Sequence, residues 1–509
     1  MPAATPCSAA VAPWILAATI LGSSLAFIDS SVVNLALPAL QADLNATVVD
    51  AQWVVEAYAL LLAALILAGG SLGDIYGRRR TYAAGVVLFA ASSVWCGLAP
   101  NIHQLIVLRA LQGIGAALLI PGSLSIISAS FDDRDRGRAI GTWSGFTSIA
   151  AAVGPVLGGF LIEYGSWRWV FFINVPIAAV VLILTFLHVP ESRNPRAAPR
   201  PDWVGVGLAA AGLGGLTYAL IESSQRGWMD PAVKTALLAS VLALAAFVVV
   251  QAKSKAPLLP LALFRSHTFR GANLLTLLLY SALNGLLFFF PLNLIQVQGY
   301  SATAAGASML PFILLMFLLS RWSGGLVHRY GPKRPLVFGP AVVALGFALF
   351  AVPSIGGNYW TTFFPAVVTL GLGMAISVAP LTTTVMNSVP QEFAGTASGI
   401  NNAVSRLAGV LSIAAFGIIM LASFDQHLSS RLAGMNLGPQ LQGEIGNQRV
   451  KLAAIEISQR IDKTLAAEIR RSIDDSFVAG FRLVMIIASG LAILSAVAAA
   501  LMIDGKSER

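Results

Sequence analysis

A chain of 509 residues that is 57% apolar and only 11% charged, with a mean hydropathy of +0.78, lies outside the range of soluble domains. Apolar runs recur from end to end, which excludes one soluble domain on a single anchor and leaves a polytopic membrane protein. The formal net charge of +9 does not point to a nucleic-acid partner, because the basic residues sit in short segments between apolar runs rather than on one soluble surface.

Runs of roughly 18 to 25 apolar residues predict about fourteen transmembrane helices. In chain order they fall near 14–36, 52–71, 82–98, 103–128, 138–162, 168–188 and 203–222, then 233–251, 271–294, 304–326, 335–353, 360–381, 396–421 and 478–502. The alternating segments of roughly ten residues that mark a membrane barrel are absent, so the fold class is all-α. Residues 1–13 carry neither Lys nor Arg, and the first run continues through Asp29. This span is therefore expected to stay in the mature protein rather than be cleaved as a signal peptide. The run 360–381 is interrupted by Pro365 and Gly371. Between the last two spans, residues 422–477 mix Gln, Glu, Arg and Lys with spaced Leu and Ile, which predicts either an amphipathic helical hairpin or a partly mobile segment. Cys7 and Cys96 are the only thiols, one near the terminus and one inside a span, so neither a disulfide nor a metal site is expected.

If the N-terminus is inside, the inner segments hold Arg78, Arg79, Arg80, Arg134, Arg136, Arg138, Arg193, Arg196, Arg200, Lys253, Lys255, Arg265, Arg270, Arg329, Lys333, Arg334, Lys506 and Arg509. The short outer loops hold only Arg168, Arg226 and Lys234. That asymmetry, with an even number of spans, predicts two cytoplasmic termini in a plasma (inner) membrane. "GSLGDIYGRRR" (Gly70 to Arg80) and "GGLVHRYGPKR" (Gly324 to Arg334) align on Tyr76-Gly77 and Tyr330-Gly331, each directly after an apolar span. A motif repeated in this way is what a duplicated transporter of two pseudosymmetric bundles shows. The expected division is an N-terminal six-helix bundle over 1–200, two additional transmembrane helices over 201–260, and a C-terminal six-helix bundle over 261–509 that carries the long outer loop 422–477.

Four motifs carry a family likeness. "GSLGDIYGRRR" resembles the loop motif between spans two and three of the major facilitator superfamily, with Gly70, Leu72, Asp74, Gly77 and Arg78 at the expected places and Ile75 departing from a usually basic position. "FIDSSVVNLALP" (Phe27 to Pro38) resembles the first-span motif of its fourteen-span drug:proton antiporter branch. "LRALQGIGAA" (Leu108 to Ala117) resembles the fourth-span motif, and "GPVLGG" (Gly154 to Gly159) the fifth-span motif associated with antiporters. The likeness covers nearly the whole chain. It implies a multidrug efflux transporter that exchanges a small molecule for protons across the bilayer, driven by the proton gradient with no cofactor.

Each motif also has a physical reading. Gly70 and Gly73 permit close helix approach, and Asp74 can accept hydrogen bonds from Arg78 or from helix N-termini of the opposite bundle. The resemblance implies that Gly70, Asp74, Gly77 and Arg78 form a conformational gate; the plainer alternative is a positively charged anchor. In "GPVLGG", Pro155 removes a backbone donor while Gly154, Gly158 and Gly159 allow tight packing, which suits a hinge, a sealing interface or a simple kink. Only the resemblance favours efflux.

Charges inside spans are costly in hydrocarbon and must face a partner or a water-filled cavity. Asp29, Glu56 and Arg109 are such charges, and at 1.5 Å per residue Asp29 and Arg109 lie at a similar depth, roughly 10 Å below the outer surface, with Glu56 slightly shallower. The expectation is a coupled cluster in which Asp29 carries the proton and attracts a cationic drug, so that drug and proton compete. Glu56 either shares that role or is a solvated glutamate near the interface, and Arg109 either anchors the network towards span one or completes a structural ion pair. Trp53, Tyr58, Trp143 and Phe288 to Phe290 are aromatics that either line a drug cavity or pack. No nucleophile–base pair, metal-ligand spacing or phosphate loop is present, so no enzyme is expected. The alternative is a transporter of the same fold for a specific nutrient or exported metabolite.

Overall fold

Hydrocarbon offers no hydrogen-bond partner to the backbone, so a spanning chain without a closed barrel must be helical. The computed structural model describes residues 11–131, 133–193, 202–254, 257–390, 393–435, 437–457 and 462–505, and among them there is no strand. Cys7, Arg196, Arg200, Lys255, Lys506 and Arg509 lie outside the described residues.

The chain begins with α1 (Ala12–Leu44) and α2 (Val48–Tyr76). Between them Asn45 takes the left-handed backbone at φ 51. A reciprocal cap then starts α2: the Thr47 amide donates to Asp50 at 2.8 Å and the Asp50 amide to the Thr47 hydroxyl at 3.1 Å, satisfying donors that the first turn leaves free. There follow α3 (Arg78–Leu98), α4 (Ile102–Ser130), α5 (Asp133–Tyr164), α6 (Trp169–Phe172), α7 (Asn174–His188), α8 (Trp203–Arg226) and α9 (Pro231–Lys253). The second half holds α10 (His267–Leu292), α11 (Ala302–Ala307), α12 (Leu310–Tyr330), α13 (Lys333–Phe350), α14 (Tyr359–Thr362), α15 (Phe364–Asn387), α16 (Ala394–Ala433), α17 (Pro439–Asn447) and α18 (Lys463–Met502).

Among the described residues, 13 helical segments are long and apolar enough to cross a membrane. The remaining predicted span falls in α5, a helix of 32 residues whose continuous apolar stretch is Val153–Tyr164. Val107, Ile183, Leu187, Leu242 and Leu318 are each more than half exposed, a surface suited to lipid rather than water. The chain is a multi-pass, all-helical membrane protein.

The helices differ from expectation in two places. The span predicted at 168–188 is divided into α6 and α7 at Ile173. The run 360–381 is divided into α14 and α15 at Phe363, just before Pro365, which stands in the first turn of α15, where a missing amide donor costs nothing. Gly371 lies within that helix and packs on the backbone of Phe312. Residues 422–477 take the helical alternative over most of their length, with α16 running on to Ala433 and α18 starting at Lys463. Arg431 pairs with Asp475 at 2.8 Å, Arg449 pairs with Asp425, and Arg470 donates to the Ala453 carbonyl at 2.8 Å.

The helices gather into two compact units. One comprises Met1–Ala36, Trp53–Leu216 and Leu237–Leu261; the other comprises Leu37–Gln52, Thr217–Ala236 and Ala262–Arg509. In the second unit Phe290 packs against Phe350, Phe363 and Phe481 with ring centroids 5.1, 5.4 and 6.5 Å away. Phe288, Phe289 and Phe290 are at most 1% exposed, so these three are core packing and not cavity lining. The sequence repeat has a backbone counterpart: Gly77 between α2 and α3 has φ 117, and Gly331 between α12 and α13 has φ 74. Both sit where a side chain would be strained. At the place of Asp74 the second copy carries His328.

Candidate functional site

The first unit holds a buried polar network among its helices. Its centre is Asp29 on α1, which is 0% exposed, and Arg109 on α4, which is 1% exposed. Arg109 Nη1 donates to Asp29 Oδ2 at 2.6 Å and to Gln112 Oε1 at 2.6 Å, while its Nε donates to the Val54 carbonyl of α2 at 3.1 Å. Gln112 Nε2 donates to the other carboxylate oxygen of Asp29 at 2.8 Å, and Asn174 Nδ2 of α7 reaches the same oxygen at 3.3 Å. Ser93 of α3 closes the network, accepting from Asn174 at 2.9 Å and donating to the Phe171 carbonyl at 2.8 Å. The Arg109 guanidinium also stands over the Tyr58 ring, 4.3 Å from its centroid, a cation–π contact that substitutes for lost hydration.

Glycines allow this approach. A Cβ at Gly113 would overlap the Tyr58 backbone of α2, and one at Gly115 would overlap Phe89 and Gly85 of α3. The fourth-span motif is thus one arginine plus the small residues that bring three helices within its reach. Ser93 and Asn174 are not among the residues that the sequence singles out. A short polar side chain within an apolar helix leaves no periodic signal, and only its burial marks it.

Two expectations about this site need correction. Asp29 does not face an open cavity, since it is fully buried and its charge is matched by Arg109; in this conformation it presents nothing to attract a cation. Glu56 does not join the cluster either. It is 0% exposed, hence no solvated interfacial residue, and neither of its carboxyl oxygens has a hydrogen-bond partner among the described residues. Arg109 touches α2 at Val54 and Tyr58, and at 3.6 residues per turn Glu56 points roughly 160° away from both.

The fifth-span motif packs directly on the helix that carries Asp29. A Cβ at Gly154 would overlap Ser31 and one at Gly158 would overlap Val32, so α5 lies against α1 over the turn that follows Asp29. Gly159 is buried in the same helix and Pro155 is half-buried beside it. Trp143, nearer the start of α5, donates its indole N–H to Ser23 of α1 at 3.1 Å.

At the end of α2 the loop motif forms a local ion pair. Arg78 donates to Asp74 Oδ1 through Nε at 3.0 Å and Nη2 at 2.8 Å. Gly70 lies 3.6 Å from Pro121 by the position of its absent Cβ, and Gly77 is required by its positive φ. A residue outside the motif completes it: Glu191, just beyond α7, accepts from the Arg79 amide at 3.1 Å and the Arg80 amide at 3.3 Å. Its carboxylate caps the positive end of α3, a place where an anion is stabilised by free N–H groups and the helix dipole. Glu191→Ala is expected to loosen this end by about 1 kcal/mol, read as faster hydrogen exchange at the Arg79 and Arg80 amides. Unchanged exchange there would count against the cap.

A comparison with known proteins agrees with this architecture. The Major Facilitator Superfamily profile matches residues 19–413. The chain is 31% identical over 492 residues to the tetracenomycin C resistance and export protein of Streptomyces glaucescens, covering 96% of this chain and 91% of that one. It is 36% identical over 423 residues to the multidrug resistance protein Stp of Mycobacterium tuberculosis, covering 82% and 77%. Among solved structures, a bacterial homologue of the human lysosomal transporter Spinster, in an inward-facing and occupied conformation, superposes with a TM-score of 0.69 at 17% identity over 97% of each chain. A D-xylose-proton symporter does so at 0.61 and 16%, over 97% of this chain and 98% of that one. At such identities the structures speak for the fold alone.

Proposed function

The chain belongs to the major facilitator superfamily, and on that premise we propose that it is a proton-driven exporter of small amphipathic or cationic compounds, placed in a bacterial inner membrane with both termini cytoplasmic. The resistance and export proteins among its relatives support the direction of transport. The basic inner segments support the orientation. The observation that carries the reading is the buried Asp29–Arg109 pair, 2.6 Å long, on a turn of α1 against which the glycine face of α5 is packed.

A proton reaching Asp29 removes the negative partner of Arg109 while leaving the hydrogen bonds from Gln112 and Asn174 to a neutral acid. Arg109 then needs other acceptors, and the balance of contacts among α1, α2 and α4 changes. Because α5 touches α1 beside Asp29, the same event alters the packing of the antiporter motif. Gly70, Asp74, Gly77 and Arg78 form the gate in this reading: the Asp74–Arg78 pair is exposed enough to exchange partners as the helices move.

The reading is tested in everted membrane vesicles. An imposed inside-acid gradient is expected to drive accumulation of ethidium, and a protonophore to abolish it. Accumulation indifferent to the gradient, or uptake only of a hydrophilic nutrient, would overturn it.

A further inference from the structure

A cation without a counter-ion stands in the second unit. Arg406 of α16 lies 10 residues into the span predicted at 396–421 (406 minus 396), about 15 Å deep and so near the middle of a hydrocarbon layer about 30 Å thick. From that depth its side chain does not snorkel to either headgroup region. Among the described residues it makes no ion pair and no hydrogen bond, whereas Arg482 of α18 donates to the Val352 and Pro353 carbonyls. The long helices packed on α16 are α10, α15 and α18. Neither α10 nor α15 contains an acidic residue, α18 contains none after Asp475, and α16 itself contains none before Asp425. Asp475 is held at the level of Arg431, 25 residues farther along α16 than Arg406 (431 minus 406). Tyr280 of α10 is close enough to feel the charge of Arg406, but a phenol is neutral at ordinary pH and does not balance it. Ser398, Asn402, Ser405 and Arg406 fall within an arc of about 100° around α16; none of them is buried and Asn402 is exposed. A polar, accessible face at hydrocarbon depth belongs to a water-filled cavity rather than to lipid.

We propose that Arg406 is a substrate-binding residue that recognises the carboxylate of a lipophilic organic acid. A free guanidinium meets a carboxylate with two parallel N–H donors, and the apolar helices around it suit the rest of a lipophilic molecule. The acid supplies the counter-ion that the chain itself does not. Arg109 is no competitor for it, since its charge is matched by Asp29. Calling the acid a substrate rests on the exporter reading; within the amphipathic compounds of that reading, Arg406 marks out those that carry an anionic group.

The test uses the purified full-length chain in lipid nanodiscs, with 1-pyrenebutyrate as the probe, its methyl ester as the uncharged control, and binding to empty nanodiscs subtracted. The parent is expected to prefer the acid to the ester by on the order of 30-fold, and Arg406→Gln to lose that preference. Arg406→Lys should keep a smaller preference, because an ammonium retains the charge but not the paired donors. Arg406→Gln should also melt no lower than the parent, since removing a cation that has no partner breaks no contact; an ion-paired arginine would behave in the opposite way. A second measurement needs no variant. Phenylglyoxal adds its two carbonyl carbons across a free guanidinium, so mass spectrometry should find the adduct on Arg406 and not on Arg109, with protection by pyrenebutyrate and none by its ester. Equal binding of acid and ester by the parent, an acid preference that survives in Arg406→Gln, or an Arg406 that stays unmodified overturns the assignment. If the parent fails in these ways yet accumulates ethidium under an inside-acid gradient, Arg406 is misassigned and the exporter reading stands. If the acid binds through Arg406 but the gradient drives neither pyrenebutyrate nor ethidium, the binding site stands and the exporter reading falls.

Discussion

Asp29→Asn is expected to abolish gradient-driven export and also to lower the melting temperature of the purified chain. Transport fails because the amide cannot take up and release a proton. Stability falls because Arg109, only 1% exposed, is left as a buried cation facing a neutral group, and breaking a buried pair from one side costs about 3–5 kcal/mol. These two losses separate in the double variant Asp29→Asn with Arg109→Gln. Removing both charges relieves the uncompensated cation, so most of the lost stability should return, because Gln112 and Asn174 still offer hydrogen bonds to the pair of amides. Export should not return. Recovery of transport by the double variant, or parental transport in Asp29→Asn alone, would show that the pair is a structural fixture and that the coupling group lies elsewhere.

Gly158→Leu is the second substitution with a large expected effect. A Cβ at this position already overlaps Val32, and the rest of a leucine has no room between α5 and α1. Overpacking of this kind costs roughly 1–3 kcal/mol. The functional loss should be larger, because displacing α1 by about 1 Å beside Asp29 disturbs a network held by bonds of 2.6 to 3.3 Å; misplacement on this scale typically costs on the order of 100-fold. Gly207→Leu on α8 is the matched control, since a Cβ at Gly207 meets nothing within 4 Å. The expected pattern is normal membrane insertion for both, with vesicle export lost in Gly158→Leu and kept in Gly207→Leu. Equal export by the two would remove the α1–α5 contact from the mechanism.

Much of this was legible in the chain because hydrocarbon leaves few choices. A run of apolar residues must be a helix, so the order of elements followed from composition, and the repeat around Tyr76-Gly77 and Tyr330-Gly331 marked equivalent helix ends. Depth was legible too: counting residues from span ends placed Asp29 and Arg109 on one level, and they meet. Azimuth was not. Glu56 lies near that level, yet which way it points depends on which face of α2 meets α4, and that is decided by Gly113 packing on Tyr58. Glu191 was invisible for a different reason, since the amides it caps stand 111 and 112 positions away in the chain and no local pattern links them. Asn174 and Ser93 carry no periodicity of their own. Their role exists only because folding brings them to the same carboxylate and to each other.

The length of the last long helices has a practical consequence for imaging. α16 and α18 each contain 40 residues, about 60 Å at 1.5 Å per residue, against a hydrocarbon layer of about 30 Å. Both therefore run on well beyond the lipid as uninterrupted rods, strapped together there by the Arg431–Asp475 pair. Small membrane transporters align poorly in electron cryomicroscopy when the detergent belt hides every feature. Here a mast rises from the second unit as a direct continuation of its spanning helices, so a nanobody raised against α17 would serve as a fiducial whose tilt reports the tilt of α16 and α18 themselves.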